Sequence, residues 1–427
     1  MTAETLAAAA IPAAPSMRRL IVAATIGNVL EWFDFLVYGF FAVTIAEVFF
    51  PVGDPTVSLL VTFGAFGLSY LVRPLGAIVI GNYTDRAGRK AGLTLSIALM
   101  MIGTTMMVVT PGYATIGLAA PMLITLARLL QGFSVGGEFG SAVAFLVEHG
   151  ADRKGFSASW QWASTGIISV IVALFGVTLT TLLSHQQLVD WGWRIPYVFG
   201  LLVGPAGLYI RSRMSETTDF LETKKPESVP IGDLLRRQPV PVLLALGMSI
   251  ISNSSYYLLL YIPTYGVKTL HLPASTGFIA TLVGGVILAI GSPLAGHWAD
   301  KIPGSRIMLW TAWLFLLAAY PAFWLMVAYP SLATAMFAVG LLNLIKAGYS
   351  GVLPSQLSLQ FPVETRAVGV AFSYSLSVTI FGGFAPFVAT WLIAETGDPL
   401  SPSFYLMATA LLSVIALVFV KRGERAA

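Results

Sequence analysis

The sequence predicts an all-α integral membrane protein, with twelve transmembrane helices in two pseudo-symmetric six-helix bundles. Three observations carry that prediction. Of the 427 residues, 56% are hydrophobic and only 10% charged, against about 25% charged in soluble domains, and the mean hydropathy is +0.81. Apolar runs repeatedly reach the roughly 20 residues a helix needs to cross a bilayer. A charged loop, Gly81-Asn82-Tyr83-Thr84-Asp85-Arg86-Ala87-Gly88-Arg89-Lys90, returns in degraded form as Gly296-His297-Trp298-Ala299-Asp300-Lys301-Ile302-Pro303-Gly304-Ser305-Arg306, 215 positions later (296 − 81). A second pair of basic turns, around Arg153 and Arg366, lies 213 apart (366 − 153). One six-span unit therefore occurs twice.

The spans, numbered 1 to 12, run over residues 19–49, 56–82, 91–110, 115–148, 155–184, 192–212, 239–266, 273–299, 306–328, 331–359, 365–394 and 401–420. Several exceed the minimum length, so tilts or kinks are expected. Residues 1–17 read as an Ala/Pro-rich disordered tail without the order of a signal peptide. Residues 18–212 form the first bundle, 213–238 a charged linker, 239–420 the second bundle and 421–427 a tail. An even number of spans puts both termini on one side. Arg18, Arg19, Arg86, Arg89, Lys90, Arg153, Lys154, Lys301, Arg306, Arg366, Lys421, Arg422 and Arg425 fall there, whereas Arg194 and Lys268 fall opposite. Cation-rich loops face the cytoplasm, so cytoplasmic termini are expected.

Composition also excludes. With no cysteine there is no disulfide framework and no thiolate metal site, and the four His offer no ligand spacing. The net charge of +4 comes from membrane-flanking cations. No basic patch with interleaved aromatics marks a nucleic-acid partner. Neither a phosphate loop nor a Ser/His/Asp set is present, so no enzyme, no cofactor and no metal are expected.

Charges inside spans are costly and mark pathways. Span 1 carries Glu31 and Asp34, three residues apart. Span 2 carries Arg73, about three turns from Asp85. Span 4 has Arg128, Gln131, Val135 and Glu138 on one helical stripe. Span 10 has Asn343, Lys346 and Ser350 at i, i+3, i+7. Arg73, Arg128 and Lys346 read as ligands of an anion: guanidinium forks onto carboxylate while ammonium acts as a point charge, and three cations suit a di- or tricarboxylate. Glu31, Asp34 and Glu138 are candidate carriers of a coupling proton, Asp34 foremost, because burial favours a protonated carboxyl and a nearby cation opposes it. Gln131, Asn343, Tyr257 and Tyr265 complete the candidate substrate site. The competing reading makes these charges buried ion pairs that hold helices together. Gly132, Gly136, Gly137 and Gly140 mark close helix approach in span 4, as Gly382 and Gly383 do in span 11.

The loop Gly-x-x-x-Asp-Arg-x-Gly-Arg-Lys at 81–90 resembles the signature of the major facilitator superfamily. Gly27-Asn28-Val29-Leu30-Glu31-Trp32-Phe33-Asp34-Phe35, Arg73-Pro74-Leu75-Gly76-Ala77, the stretch from Arg128 to Glu138 and Trp191-Gly192-Trp193-Arg194-Ile195-Pro196 resemble its metabolite–proton symporter family. Ile262-Pro263-Thr264-Tyr265-Gly266, Ile380-Phe381-Gly382-Gly383 and Thr396-Gly397-Asp398 are similar to the citrate and tricarballylate branch. The resemblance spans about 18–420. It implies the major facilitator fold, alternating access, and proton-coupled symport of a small organic anion, with a tricarboxylate foremost. A dicarboxylate, an aromatic acid, and an osmolyte such as proline or betaine are the alternatives. It also implies a monomer in a bacterial inner membrane, with sodium left open as the coupling ion. In the family, residues matching Asp85, Arg86, Arg89, Glu148 and Arg153 form an ion-pair gate at the cytoplasmic face. The chain departs from the pattern at Lys301-Ile302-Pro303-Gly304-Ser305 and at Leu359, where an acid is usual, so a weaker gate is expected in the second half.

Overall fold

The computed structural model describes residues 17–87, 89–135, 142–143, 146–147, 153–201 and 231–426. Every regular element among them is helical. Among the described residues, eight helices are long and apolar enough to cross a membrane. A ninth span is the pair Trp32–Phe40 and Ala42–Phe49, bent by 75°. Of the other three expected spans, span 3 appears as Arg89–Val109, whose apolar part Thr94–Val109 is shorter. Span 4 appears as Ala119–Ser134. Span 6 appears as a π turn, Leu188–Gly192, followed by helical residues 194–201. Glu138 and Glu148 lie outside the described residues, as do the side chains of Glu31, Asp85, Arg86 and Arg89.

Local chemistry sets the boundaries and breaks. Span 2 starts where Asp54 accepts from the amides of Thr56 and Val57 at 2.7 and 3.3 Å, with Pro55 in the first turn. It is divided at Val72, just before Pro74. Span 7 is divided at Tyr261, before Pro263, and span 10 at Gly351–Val352, before Pro354. Proline removes a ladder donor and clashes with the preceding turn, so each break falls where the ring requires it. Span 10 begins at a reciprocal Ser331–Thr334 cap. Span 11 is interrupted by a π segment, Val378–Gly383, and ends on left-handed Gly397 at φ +66°. There the missing Cβ relieves the steric penalty of that conformation.

The burial pattern is that of a protein in lipid. Large apolar side chains such as Trp310, Leu182, Met122, Leu317 and Phe337 point outward, whereas Ser, Thr, Asn and Gln side chains are packed inside. Some of these polar groups are satisfied against one another, as Ser252 is by Ser350 and Ser254 by Thr409.

The two halves touch along two seams. Span 5 runs against span 8 as an antiparallel pair. A Cβ on Gly155 would meet the Gly296 carbonyl oxygen at 2.5 Å, and one on Gly166 would meet the Gly285 carbonyl oxygen at 2.7 Å. The backbones therefore approach where neither has a side chain. Span 2 runs against span 11, where Thr379 Oγ1 donates to the Tyr70 carbonyl at 3.0 Å. Gly382 and Gly383 make room for the rings of Tyr257 and Tyr70 instead of another helix backbone. Gly132 does serve close approach, its backbone lying on that of Ser69 in span 2. Gly136, Gly137 and Gly140 lie outside the described residues.

Candidate functional site

Arg73, Arg128 and Lys346 are the only buried cations among the described residues, and Asp34 is the only buried carboxyl. Helix geometry puts Arg128 and Gln131 on one face of span 4, and Arg128 Nη1 donates to Gln131 Oε1 at 2.8 Å. Its Nη2 is 3.4 Å from Ser69 Oγ of span 2. The guanidinium lies over Phe35 and Tyr38 of span 1 at 4.5 and 4.6 Å, and over Phe66 of span 2 at 5.2 Å. Asp34 comes no closer to Arg128 than through Gln131. The Gln131 amide is 3.5 Å from Asp34 Oδ2 and 3.1 Å from Thr104 Oγ1, and Thr104 donates to that same carboxyl oxygen. Asp34 Oδ1 and Arg128 Nε are buried without a partner among the described residues. The acid and the base are thus joined by one neutral side chain that can pass polarity between them.

Arg73 begins the second piece of span 2 at the Val72 break. It lies over Trp32 at 4.9 Å and Tyr70 at 5.3 Å, and its Nε is unpartnered among the described residues. Lys346, on span 10 in the other half, donates to the Ser252 carbonyl at 2.9 Å. It sits 4.2 Å from the ring centre of Trp162 and 4.9 Å from that of Tyr256. Among the described residues the one ion pair within 4.0 Å is His185–Glu47, which is exposed. The ion-pair reading of Arg73, Arg128 and Lys346 therefore finds no support among these residues. Among the described residues these charges are faced by aromatic rings and, for Lys346, by a carbonyl, which offset part of the cost of burying a charge.

An aromatic belt joins the three cations across the halves. Phe66 and Tyr70 are 5.3 Å apart, Tyr70 and Tyr257 5.2 Å, and Tyr257 and Tyr256 5.1 Å. Tyr257 is thus central to the cluster. Asn343 packs against Gly284 of span 8, its amide donating to the Val339 carbonyl at 2.9 Å. Together with Tyr256, Ser169 and Thr281, it lines a cavity of about 20 Å³ between the halves. That is room for about one water molecule. Tyr265 is not brought into this group: its hydroxyl donates to the Pro399 carbonyl at 2.7 Å and its ring packs on Phe323.

Of the expected gate, Arg153 is exposed just before the helix Lys154–Leu182. The described contact at this end of the bundle comes from the degraded loop. The Asp300 carboxylate accepts from the amides of Gly155 and Phe156 at 2.6 and 3.1 Å, tying span 8 to the start of span 5. The repeated loop had signalled Asp300, but its cation-poor sequence hid how closely it engages. Thr104, Ser69 and Trp162 are further members of the site. Nothing in their sequence context separates them from other polar or aromatic residues in spans.

Membrane-length helices of both halves surround three buried cations, an arrangement suited to carrying a solute across a bilayer. The family description of the Major Facilitator Superfamily matches residues 24–359, and the chain belongs to that superfamily. It is 37% identical over 414 residues to a citrate-proton symporter of Salmonella typhi, covering 95% of each chain. A citrate-proton symporter of Klebsiella pneumoniae is 35% identical, over 95% of this chain and 92% of that one. A proline/betaine transporter of Escherichia coli K12 is 34% identical, over 95% and 83%. The fold is shared with the Escherichia coli xylose transporter in a partially occluded inward-open conformation. The TM-score is 0.74 at 15% identity, over 95% of this chain and 97% of that one.

Proposed function

We propose that this protein is a proton-coupled symporter of a tricarboxylate such as citrate, acting by alternating access as a monomer in a bacterial inner membrane with both termini cytoplasmic. The observation that carries the reading is the charge of the buried centre: three buried cations and one carboxyl among the described residues. With Asp34 ionised the four groups sum to two positive charges; with Asp34 protonated they sum to three, matching a trianion. Protonation of Asp34 and arrival of the anion then favour one another, and such mutual favour is what coupling requires. Gln131 supports this role because it contacts both partners.

In this scheme Arg128 and Arg73 take substrate carboxylates from the first half and Lys346 takes one from the second. Asn343 and Tyr257 shape the wall between them. The small cavity means that loading requires the halves to part. The Asp300 contact on span 5, with the charged loop at 85–90, Glu148 and Arg153, closes the cytoplasmic face. Among the alternatives, a dicarboxylate would leave one cation unmatched. An osmolyte with a quaternary ammonium would need aromatic faces, but those here hold the protein's own cations.

A thermal-shift screen of the purified chain against citrate, tricarballylate, succinate, phthalate and betaine tests the reading, because a ligand bound only by the folded state raises its apparent stability. Stabilisation by the tricarboxylates, unchanged when sodium is replaced by potassium, is expected. Stabilisation by betaine alone would overturn the anion reading.

A further inference from the structure

We propose that Trp162 is a substrate-contacting residue with two uses: its ring holds the Lys346 ammonium when the site is empty, and its indole N–H donates to a substrate carboxylate when the site is filled. The proposal rests on the reading of Lys346 as an anion ligand. Trp162 belongs to the first half and Lys346 to the second, so their 4.2 Å contact bridges the two at the centre of the molecule. The Trp162 and Tyr256 rings meet edge to face at 5.7 Å, and both lie within cation–π distance of the ammonium.

Both partners of this contact carry unfilled donors. An ammonium has three N–H groups, and among the described residues the Ser252 carbonyl is the one acceptor for Lys346. Trp162 is 2% exposed, and its Nε1 finds no acceptor among the described residues. Indole is a donor only, so its natural complement is an oxygen, and no described residue supplies one here. The backbone that carries the ring is well anchored. Gln161 Nε2 donates to Asn28 Oδ1 at 2.9 Å, and Asn28 Nδ2 donates to Ser164 Oγ at 2.6 Å, pinning span 5 to span 1 on either side of Trp162. One carboxylate, with two oxygens and about four lone-pair sites, accepts from Nζ and Nε1 together. Substrate then replaces the direct Trp162–Lys346 bridge with one that runs through itself. A monocarboxylate seated on Arg128 leaves Lys346 on the indole. The site therefore selects anions with at least two carboxylates far enough apart to reach both halves.

The test is citrate titration of the purified full-length chain, with thermal unfolding of each variant as the folding control. Trp162→Phe keeps an aromatic face for Lys346 but removes the donor. It should weaken citrate binding about tenfold, the size of a lost hydrogen bond to a charged group. Trp162→Tyr restores a donor at the ring edge and should recover part of that loss. Lys346→Ala should abolish binding. Citrate affinity unchanged in Trp162→Phe, with binding lost in Lys346→Ala, would overturn the role of the indole and leave the anion site intact. A Tyr variant as weak as the Phe variant would overturn the donor assignment. Unchanged binding in Lys346→Ala would remove the reading on which the proposal rests.

Discussion

At the scale of single residues, the separation of Asp34 from Arg128 by Gln131 is what makes the pair usable. A direct salt bridge would hold each charge on the other; a bridging amide leaves one carboxyl oxygen and the guanidinium Nε without described partners. Asp34→Asn keeps the shape and removes the titration. It is expected to retain citrate binding and citrate exchange between the two sides of a vesicle while losing accumulation driven by a pH gradient. If gradient-driven accumulation persisted, the coupling proton would belong to Glu31 or Glu138. Gln131→Leu strands buried partners on both sides. Each buried group left unsatisfied costs about 1–3 kcal/mol, so its unfolding midpoint should fall even without ligand, whereas that of Asp34→Asn should change little. The Arg128–Gln131 pairing was legible because spacing i, i+3 places them on one face. The Asp34–Thr104 contact was not, because period tells which residues share a helix face but not which faces meet across helices. Tyr265 shows the converse: an attractive residue type in an attractive motif, claimed in the fold by a carbonyl at Pro399.

At the scale of elements, spans 5 and 8 form the seam on which the halves must move. Two glycine pairs, Gly155 with Gly296 and Gly166 with Gly285, keep the helix backbones in contact. Gly166 lies one turn beyond Trp162 on the same helix face, so the tight contact and the Lys346 bridge are neighbours. Adding a methyl at Gly166 places it 2.5 Å from the Ala289 amide nitrogen and 2.7 Å from the Gly285 carbonyl oxygen. Both are backbone atoms that cannot turn aside. Gly166→Ala should therefore hold the halves apart. Uptake should fall at least tenfold while citrate binding survives, measured as transport into vesicles beside titration in detergent. Normal uptake would show that the seam yields elsewhere. The breaks in spans 2, 7 and 10 each precede a proline, Pro74, Pro263 and Pro354, whereas Pro293 and Pro321 lie inside unbroken helices, so proline alone does not locate a break. The 75° bend at Phe41 follows Gly39 by two residues, and at that corner Phe40 and Phe41 pack against Phe278 of span 8, a contact that the sequence does not announce.

At the scale of the whole molecule, the duplicated loop was the most informative feature of the sequence, since it gave the two-bundle architecture before any helix was placed. It was less informative about closure. The loss of cations from the second copy pointed to a weak contact, yet the retained acid is what the start of span 5 binds. A carboxylate at a helix N-terminus meets free amides and the positive end of the helix dipole. Asp300 meets both amides across the junction between the halves, so removing its charge should shift the balance between closed and open at that face rather than unfold the protein. A hydrogen bond to a charged group is worth about 1.5–3 kcal/mol. Even the lower figure raises the open-to-closed ratio about tenfold. The chain contains no cysteine, so Ser159→Cys supplies a single reporter. Ser159 is fully buried where Gly296 faces it, and a thiol there reacts only when the seam opens. In the background Asp300→Asn, the maleimide labelling rate of this cysteine should rise about tenfold without citrate, with the unfolding midpoint nearly unchanged. An unchanged labelling rate would mean that Asp300 decorates the closed state without holding it, and would move the burden of closure to the residues around 85–90 and 148–153.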